Sequence, residues 1–175
     1  MCGLFGFIGT EPAAEIMRGA VKRARQRGPD GMAWWDGDRS RTDAVGGKLI
    51  LGHCRLATSG AIGVLQPLVA GEFAITHNGN IRDHRSIAAR LGIECETSVD
   101  SELILKLLAR DGWPAVIREL PLSPGAVVAV EPAAIHLLSN KLPLYSLARP
   151  EGLYWCSTKG PEPGWEPVTY RTILR

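Results

Sequence analysis

In Met1-Cys2-Gly3-Leu4-Phe5-Gly6-Phe7-Ile8-Gly9 a thiol stands directly behind the first methionine. Removal of Met1 would place a nucleophile and a base on one residue. A free α-amino group titrates at about 7.7–8.0 against about 10.4 for a lysine amine, so near neutral pH a useful fraction can take a thiol proton. The plainer reading is that Cys2 is a small buried residue opening an apolar strand.

Other segments offer matching chemistry. Thr76-His77-Asn78-Gly79-Asn80 follows an apolar strand and reads as a turn, where a side-chain amide and a backbone N–H can aim at one point. Those are the two donors an oxyanion hole requires, although Asn-Gly is also the commonest hairpin signal. Gly52-His53-Cys54-Arg55-Leu56-Ala57-Thr58 ends a further strand with a guanidinium near hydroxyls. An arginine fork suits a substrate carboxylate, or else pairs with a structural acid. Asp100, in Val99-Asp100-Ser101-Glu102, can cap a helix or bind a substrate ammonium. Together, Arg55 and Asp100 would read both charged groups of a free amino acid. Arg27-Gly28-Pro29-Asp30-Gly31 reads on its own as a helix stop and turn.

Positioning these residues requires a mixed scaffold. Residues 3–9 read as a buried strand broken by glycines, and Ile16, Met17, Ala20, Val21 and Ala24 repeat at helical spacing after Thr10-Glu11-Pro12 until Gly28-Pro29. Strands are expected at 33–35, 48–56, 73–77, 125–130, 134–139, 153–157 and 168–173, and a loop at 60–71. Helices are expected at 82–91, at 99–109 and from Gly112-Trp113-Pro114. This irregular order predicts an α+β fold with antiparallel sheets.

The composition narrows the class. A chain of 175 residues, 45% hydrophobic and 22% charged, is expected to form a single domain over 1–175. Twenty basic against 18 acidic residues give a net charge of +2. The densest basic cluster, Arg18, Lys22, Arg23, Arg25 and Arg27, suits a solvated helix face, so no direct nucleic-acid partner is expected. The glycine-broken start argues against a signal peptide or membrane span, and four cysteines without paired spacing argue against a disulfide framework. A cytoplasmic location follows as the expectation. A metal module built from Cys2, His53, Cys54 and His77 lacks close ligand pairs, and adjacent strand residues 53 and 54 should face opposite ways.

Taken together, Cys2-Gly3 with Gly6, Arg27-Gly28-Pro29-Asp30, Gly52-His53-Cys54-Arg55-Leu56-Ala57-Thr58, Gln66-Pro67, His77-Asn78-Gly79-Asn80 and Asp100-Ser101-Glu102 resemble, in order and spacing, the class II glutamine amidotransferase domain. The resemblance covers roughly residues 2–160. It implies the N-terminal nucleophile hydrolase fold, a four-layer αββα sandwich of two antiparallel sheets. It also implies hydrolysis of L-glutamine to glutamate and ammonia through a γ-glutamyl thioester on Cys2, with Asn78 and Gly79 holding the oxyanion. Arg55, with help from Thr58, would bind the α-carboxylate, and Asp100 the α-ammonium. Arg27 matches the family arginine beside the nucleophile. Neither cofactor nor metal is implied.

Residues 140–145 and 152–157 are similar to the final strand pair of the asparagine synthetase-like branch. The sequence departs from the family at Cys54, usually threonine, and at Val64, usually polar. No second catalytic domain follows, so ammonia is expected to pass to a separate synthase subunit, with Trp34, Trp35, Trp155 and Trp165 as candidate contact anchors. The alternatives are an N-terminal nucleophile hydrolase of another amide and a non-catalytic regulatory subunit.

Overall fold

A computed structural model describes residues 1–43, 45–56, 64–122 and 124–175. Strand β1 (Gly3–Gly9) lies between β4 (Leu49–Arg55) and β10 (Gly152–Cys156), antiparallel to both. The sheet extends through β9 (Tyr145–Arg149) to β11 (Glu166–Pro167) on one side, and through β2 (Gly31–Trp35) to β3 (Ser40–Arg41) on the other. The second sheet runs in the order β12 (Tyr170–Leu174), β8 (Ala134–Asn140), β7 (Gly125–Glu131), β6 (Phe73–Gly79), β5 (Leu68–Ala70), again antiparallel. Residues beyond 121 thus supply central neighbours to both β1 and β6.

Side-chain alternation builds three apolar layers. Leu4, Leu49, Leu51, Ala74, Val128, Leu137 and Trp155 fill the space between the sheets. Phe5, Phe7, Ile50 and Tyr154 point the other way and meet Met17, Ala20 and Ala24 of helix α1 (Ala14–Arg27). On the far side of the second sheet, Ile75, Val127 and Ala129 pack against α3 (Ser101–Asp111) and α4 (Trp113–Glu119), with Ala88 of α2 (His84–Leu91). The result is the expected αββα sandwich. Both faces of β1 are buried, which is why the strand reads as a continuous apolar run.

Several local expectations change. Helix α1 starts at Ala14, and Ala13 at its N-cap makes no side-chain cap bond; the Ala13 N–H is instead satisfied by the Tyr154 hydroxyl at 2.6 Å. Part of the expected 60–71 loop is strand β5, β3 and β11 are two-residue additions too short to show alternation, and of the expected final strand pair 152–157 holds β10 whereas 140–145 is mostly the connection from β8 into β9. Residues 57–63 of that loop lie outside the described residues. Trp34, Trp35, Trp155 and Trp165 are all buried, so none is presented as a contact anchor. No helix among the described residues is long and apolar enough to cross a membrane.

Close packing of α1 on β1 requires Gly3. A side chain there would begin 2.2 Å from the Ala24 carbonyl oxygen, so only glycine lets the end of α1 approach the start of β1. That approach brings Arg27 beside Cys2.

Candidate active site

Strand periodicity delivers Cys2 to its partner. Cys2 is in step with Leu4, whose side chain enters the space between the sheets, and Asn78 is in step with Ala74 on the facing strand β6. The Cys2 N–H donates to Asn78 Oδ1 at 3.2 Å. Asn78 is buried, and its Nδ2 has no hydrogen-bond partner among the described residues. An unmatched buried donor costs about 1–3 kcal/mol, a cost that an oxyanion arriving at this point would remove.

The expected turn at 76–80 is corrected. Strand β6 continues through Gly79, with Asn78 opposite Ala126 and Gly79 opposite Gly125. The long apolar partner β7 carries the ladder past a local Asn-Gly signal that by itself favours a hairpin. Glycine at 79 answers a need for space: a Cβ would lie 2.4 Å from His77 Nε2 and 3.0 Å from the Pro124 carbonyl oxygen.

Cys2, Arg55, Gly79 and Asp100 line one cavity of about 240 Å³ at this end of the sandwich. Pockets for drug-sized ligands run to roughly 300–1,000 Å³, so this volume suits a substrate of amino-acid size. Arg55 ends β4, and its Nη1 donates to the Val64 carbonyl at 2.5 Å. Only the main chain of Val64 enters that contact. Asp100 occupies the N-cap position of α3 yet makes no cap bond; its Oδ2 accepts the Ile81 N–H at 2.5 Å, tying the helix start to the end of β6.

Arg27 ends α1 and its Nε donates to the Cys2 carbonyl at 3.2 Å. It braces the Cys2 main chain and is not among the cavity-lining residues. Thr58 lies outside the described residues. Cys54 faces the α1 layer, away from His53, and burial pushes its thiol up to about 12. The departure from threonine therefore does not touch the cavity; of the four residues of the metal reading, Cys2, His53 and His77 line it and Cys54 does not.

Sequence reasoning assigned no part in the reaction to a polar group that lines the cavity. Gln66, His77 and Ser101 are buried together, with His77 Nδ1 2.9 Å from Ser101 Oγ. Glu102, also buried, accepts the N–H groups of Glu96 and Thr97 at 2.6 and 2.7 Å and so fixes the approach to Asp100. The signal for all four was their place in the motifs, which spacing alone could not convert into contacts. Burial, then proximity to His77 and Arg55, pushes His53 down to about 3. Burial also lowers His77, with the Asp100 charge opposing. Both rings are neutral near pH 7.

A sequence model of the glutamine amidotransferase domain matches residues 1–121. The chain belongs to that family. Similar curated proteins include the glutamine–fructose-6-phosphate aminotransferase (isomerizing) of Mycolicibacterium smegmatis, 31% identical over 147 residues, covering 63% of this chain and 23% of that protein. The amidophosphoribosyltransferase of Rhizobium etli is 29% identical over 137 residues, covering 62% and 28%. The chain thus spans about a quarter of the length of these relatives. Among solved structures, the B. subtilis glutamine phosphoribosylpyrophosphate amidotransferase superposes with a TM-score of 0.67 at 23% identity, covering 89% of this chain and 42% of that one. A glutamine aminotransferase class-II domain protein from Silicibacter pomeroyi gives 0.64 at 16% identity, covering 98% and 94%. Both share the fold.

Proposed function

We propose that this chain hydrolyses L-glutamine to glutamate and ammonia at Cys2. The observation that carries the reading is the Asn78 carboxamide: its oxygen holds the Cys2 nitrogen, and its buried Nδ2 is left without a partner beside the nucleophile. With Met1 removed, the Cys2 amine accepts the thiol proton as Sγ attacks the glutamine carboxamide carbon. The amine then passes that proton to the leaving nitrogen, releasing ammonia and a thioester. Attack by water, deprotonated by the same amine, releases glutamate and returns the thiol. Asn78 Nδ2 and the Gly79 N–H take the negative charge that develops on the carboxamide oxygen. Arg55 and Asp100, on the same cavity, hold the α-carboxylate and α-ammonium. Opposite charges on one cavity match the two charged groups of a free amino acid, which favours that substrate over an amide lacking them.

Residues 1–175 act as one domain in this reading, and the ammonia is handed to a synthase in trans. The relatives named above support ammonia delivery to a synthase and are several times longer than this chain. Met1 is 57% exposed, and among the described residues its one side-chain bond is a 3.8 Å contact from Arg27 to Sδ, so its removal frees the Cys2 amine at little structural cost. Protein active towards glutamine should therefore begin at Cys2 on intact mass measurement, and a glutamine-analogue electrophile should add once, at that residue. Activity with Met1 fully retained, or labelling at Cys54, Cys95 or Cys156, would refute the assignment.

A further inference from the structure

The β5 to β6 ladder pairs Leu68 with Ile75 and Val69 with Ala74, and the same register brings position 66 opposite His77. Main-chain pairing stops at Leu68. Gln66 continues it with its side chain: Oε1 accepts the His77 N–H at 2.6 Å, and Nε2 donates to the His77 carbonyl at 3.2 Å. One carboxamide thus makes both bonds that a strand residue would make. The same Nε2 lies 3.3 Å from Ser101 Oγ, which in turn holds His77 Nδ1 at 2.9 Å. His77 is fixed at its N–H, its carbonyl and its ring, and the group is buried.

His77 directly precedes the proposed oxyanion donors. In a strand, N–H groups two residues apart point to the same edge, so the Gly79 N–H turns to the edge that the His77 N–H faces. Main-chain strand β5 no longer covers that edge at this level, and the cavity opens there, lined by Gln66 and Gly79 together. The orientation of the 77–79 peptides decides where both donors aim.

We propose that Gln66 is a positioning residue, a side-chain replacement for a strand partner that holds the His77 peptide and thereby aims Asn78 Nδ2 and the Gly79 N–H at the reacting carboxamide. The role rests on the glutaminase reading for its catalytic consequence. The clamp on β6 stands on the hydrogen bonds alone.

The test compares wild type, Gln66→Ala and Gln66→Glu by glutamine kinetics across pH, by amide hydrogen exchange over residues 74–81, and by the rate of Cys2 alkylation with iodoacetamide. Gln66→Ala should lower kcat by about tenfold to a hundredfold, less than the outright loss of an oxyanion donor, with KM changed by no more than about twofold. Exchange at His77 should quicken and the thermal midpoint should fall, since the His77 N–H and carbonyl lose their buried partner, while Cys2 alkylation of the folded protein stays close to wild type. Gln66→Glu keeps the acceptor for the His77 N–H but sets an anion against the His77 carbonyl. Protonation restores a donor there, so its kcat relative to wild type should recover as pH falls, whereas the ratio for Gln66→Ala should stay flat. A rise in KM at constant kcat, or unchanged exchange at 77–79, would overturn the clamp. If wild type itself failed to hydrolyse glutamine, the functional reading would fall, and faster exchange in Gln66→Ala would still support the clamp.

Discussion

The two ends of the Asn78 carboxamide are in different situations, and that difference divides the roles of the cavity residues. Its oxygen is engaged by Cys2 in the resting protein, and its nitrogen is buried and unmatched. A donor of that kind gains most when charge develops, so Asn78→Ala should lower kcat by about a hundred- to a thousandfold while KM changes little. In the proposed reading, Arg55→Ala and Asp100→Ala remove contacts to the substrate's charged groups, which are equally charged before and during reaction. Their KM for glutamine should rise, and glutamine should lose its advantage over amides that lack the corresponding charge. Steady-state kinetics on the three variants decides this, and equal losses of kcat at constant KM would show that the division is wrong. These residue types and their order were legible in the sequence because each motif puts its reactive group at the end of a strand or the start of a helix. Contacts between motifs were not legible. Asp100 reads as a helix cap by position, yet its carboxylate reaches Ile81, nineteen residues earlier in the chain.

The elements explain both what sequence patterns revealed and what they concealed. Apolar runs such as β1 and β7, buried on both faces, and the helical repeat of Leu103, Ile104, Leu107 and Leu108 announce themselves. Strand β6 does not announce its end, because the Asn-Gly pair carries a turn signal that the ladder to β7 overrides. Short edge strands such as β3 and β5 have too few residues to show alternation. Strand β4 also carries a titration consequence. Its alternation sends His53 into the space between the sheets, where burial lowers the ring to about 3 from an ordinary 6.5. The unfolded chain then binds more protons than the folded one between those values, so stability is full above pH 6.5 and falls as pH drops through the window. The slope attributable to one such ring is at most about 1.4 kcal/mol per pH unit. Urea unfolding at a series of pH values should show this fall, and His53→Asn should make it shallower, leaving the part due to His77. An unchanged slope in that variant would mean that His53 is protonated in the folded chain.

At the scale of the whole molecule, the site is assembled from early residues but held by late ones. All the proposed catalytic and substrate-binding positions fall between 2 and 100, within the span matched by the family model. The strands that flank their carriers come from beyond it: β10 pairs with β1 from Phe5↔Cys156 to Gly9↔Gly152, and β7 pairs with β6 from Ala74↔Val130 to Gly79↔Gly125. The core between the sheets likewise mixes Leu4, Leu51 and Ala74 with Val128, Leu137 and Trp155. A fragment of residues 1–121 would leave both central strands with one unpaired edge and would expose apolar surface worth roughly 1.5–3 kcal/mol for each large side chain uncovered. Since total stabilities are only about 5–15 kcal/mol, losing several such contacts exceeds the margin. The fragment should therefore lack the near-ultraviolet circular dichroism and dispersed amide resonances of the full chain, and it should not be labelled at Cys2 by a glutamine analogue. Adding residues 122–175 as a separate peptide tests the same point from the other side. Recovery of labelling on mixing would show that the late strands act by completing the two sheets, whereas a fragment that folds and reacts alone would place the whole stability of the site within the first 121 residues.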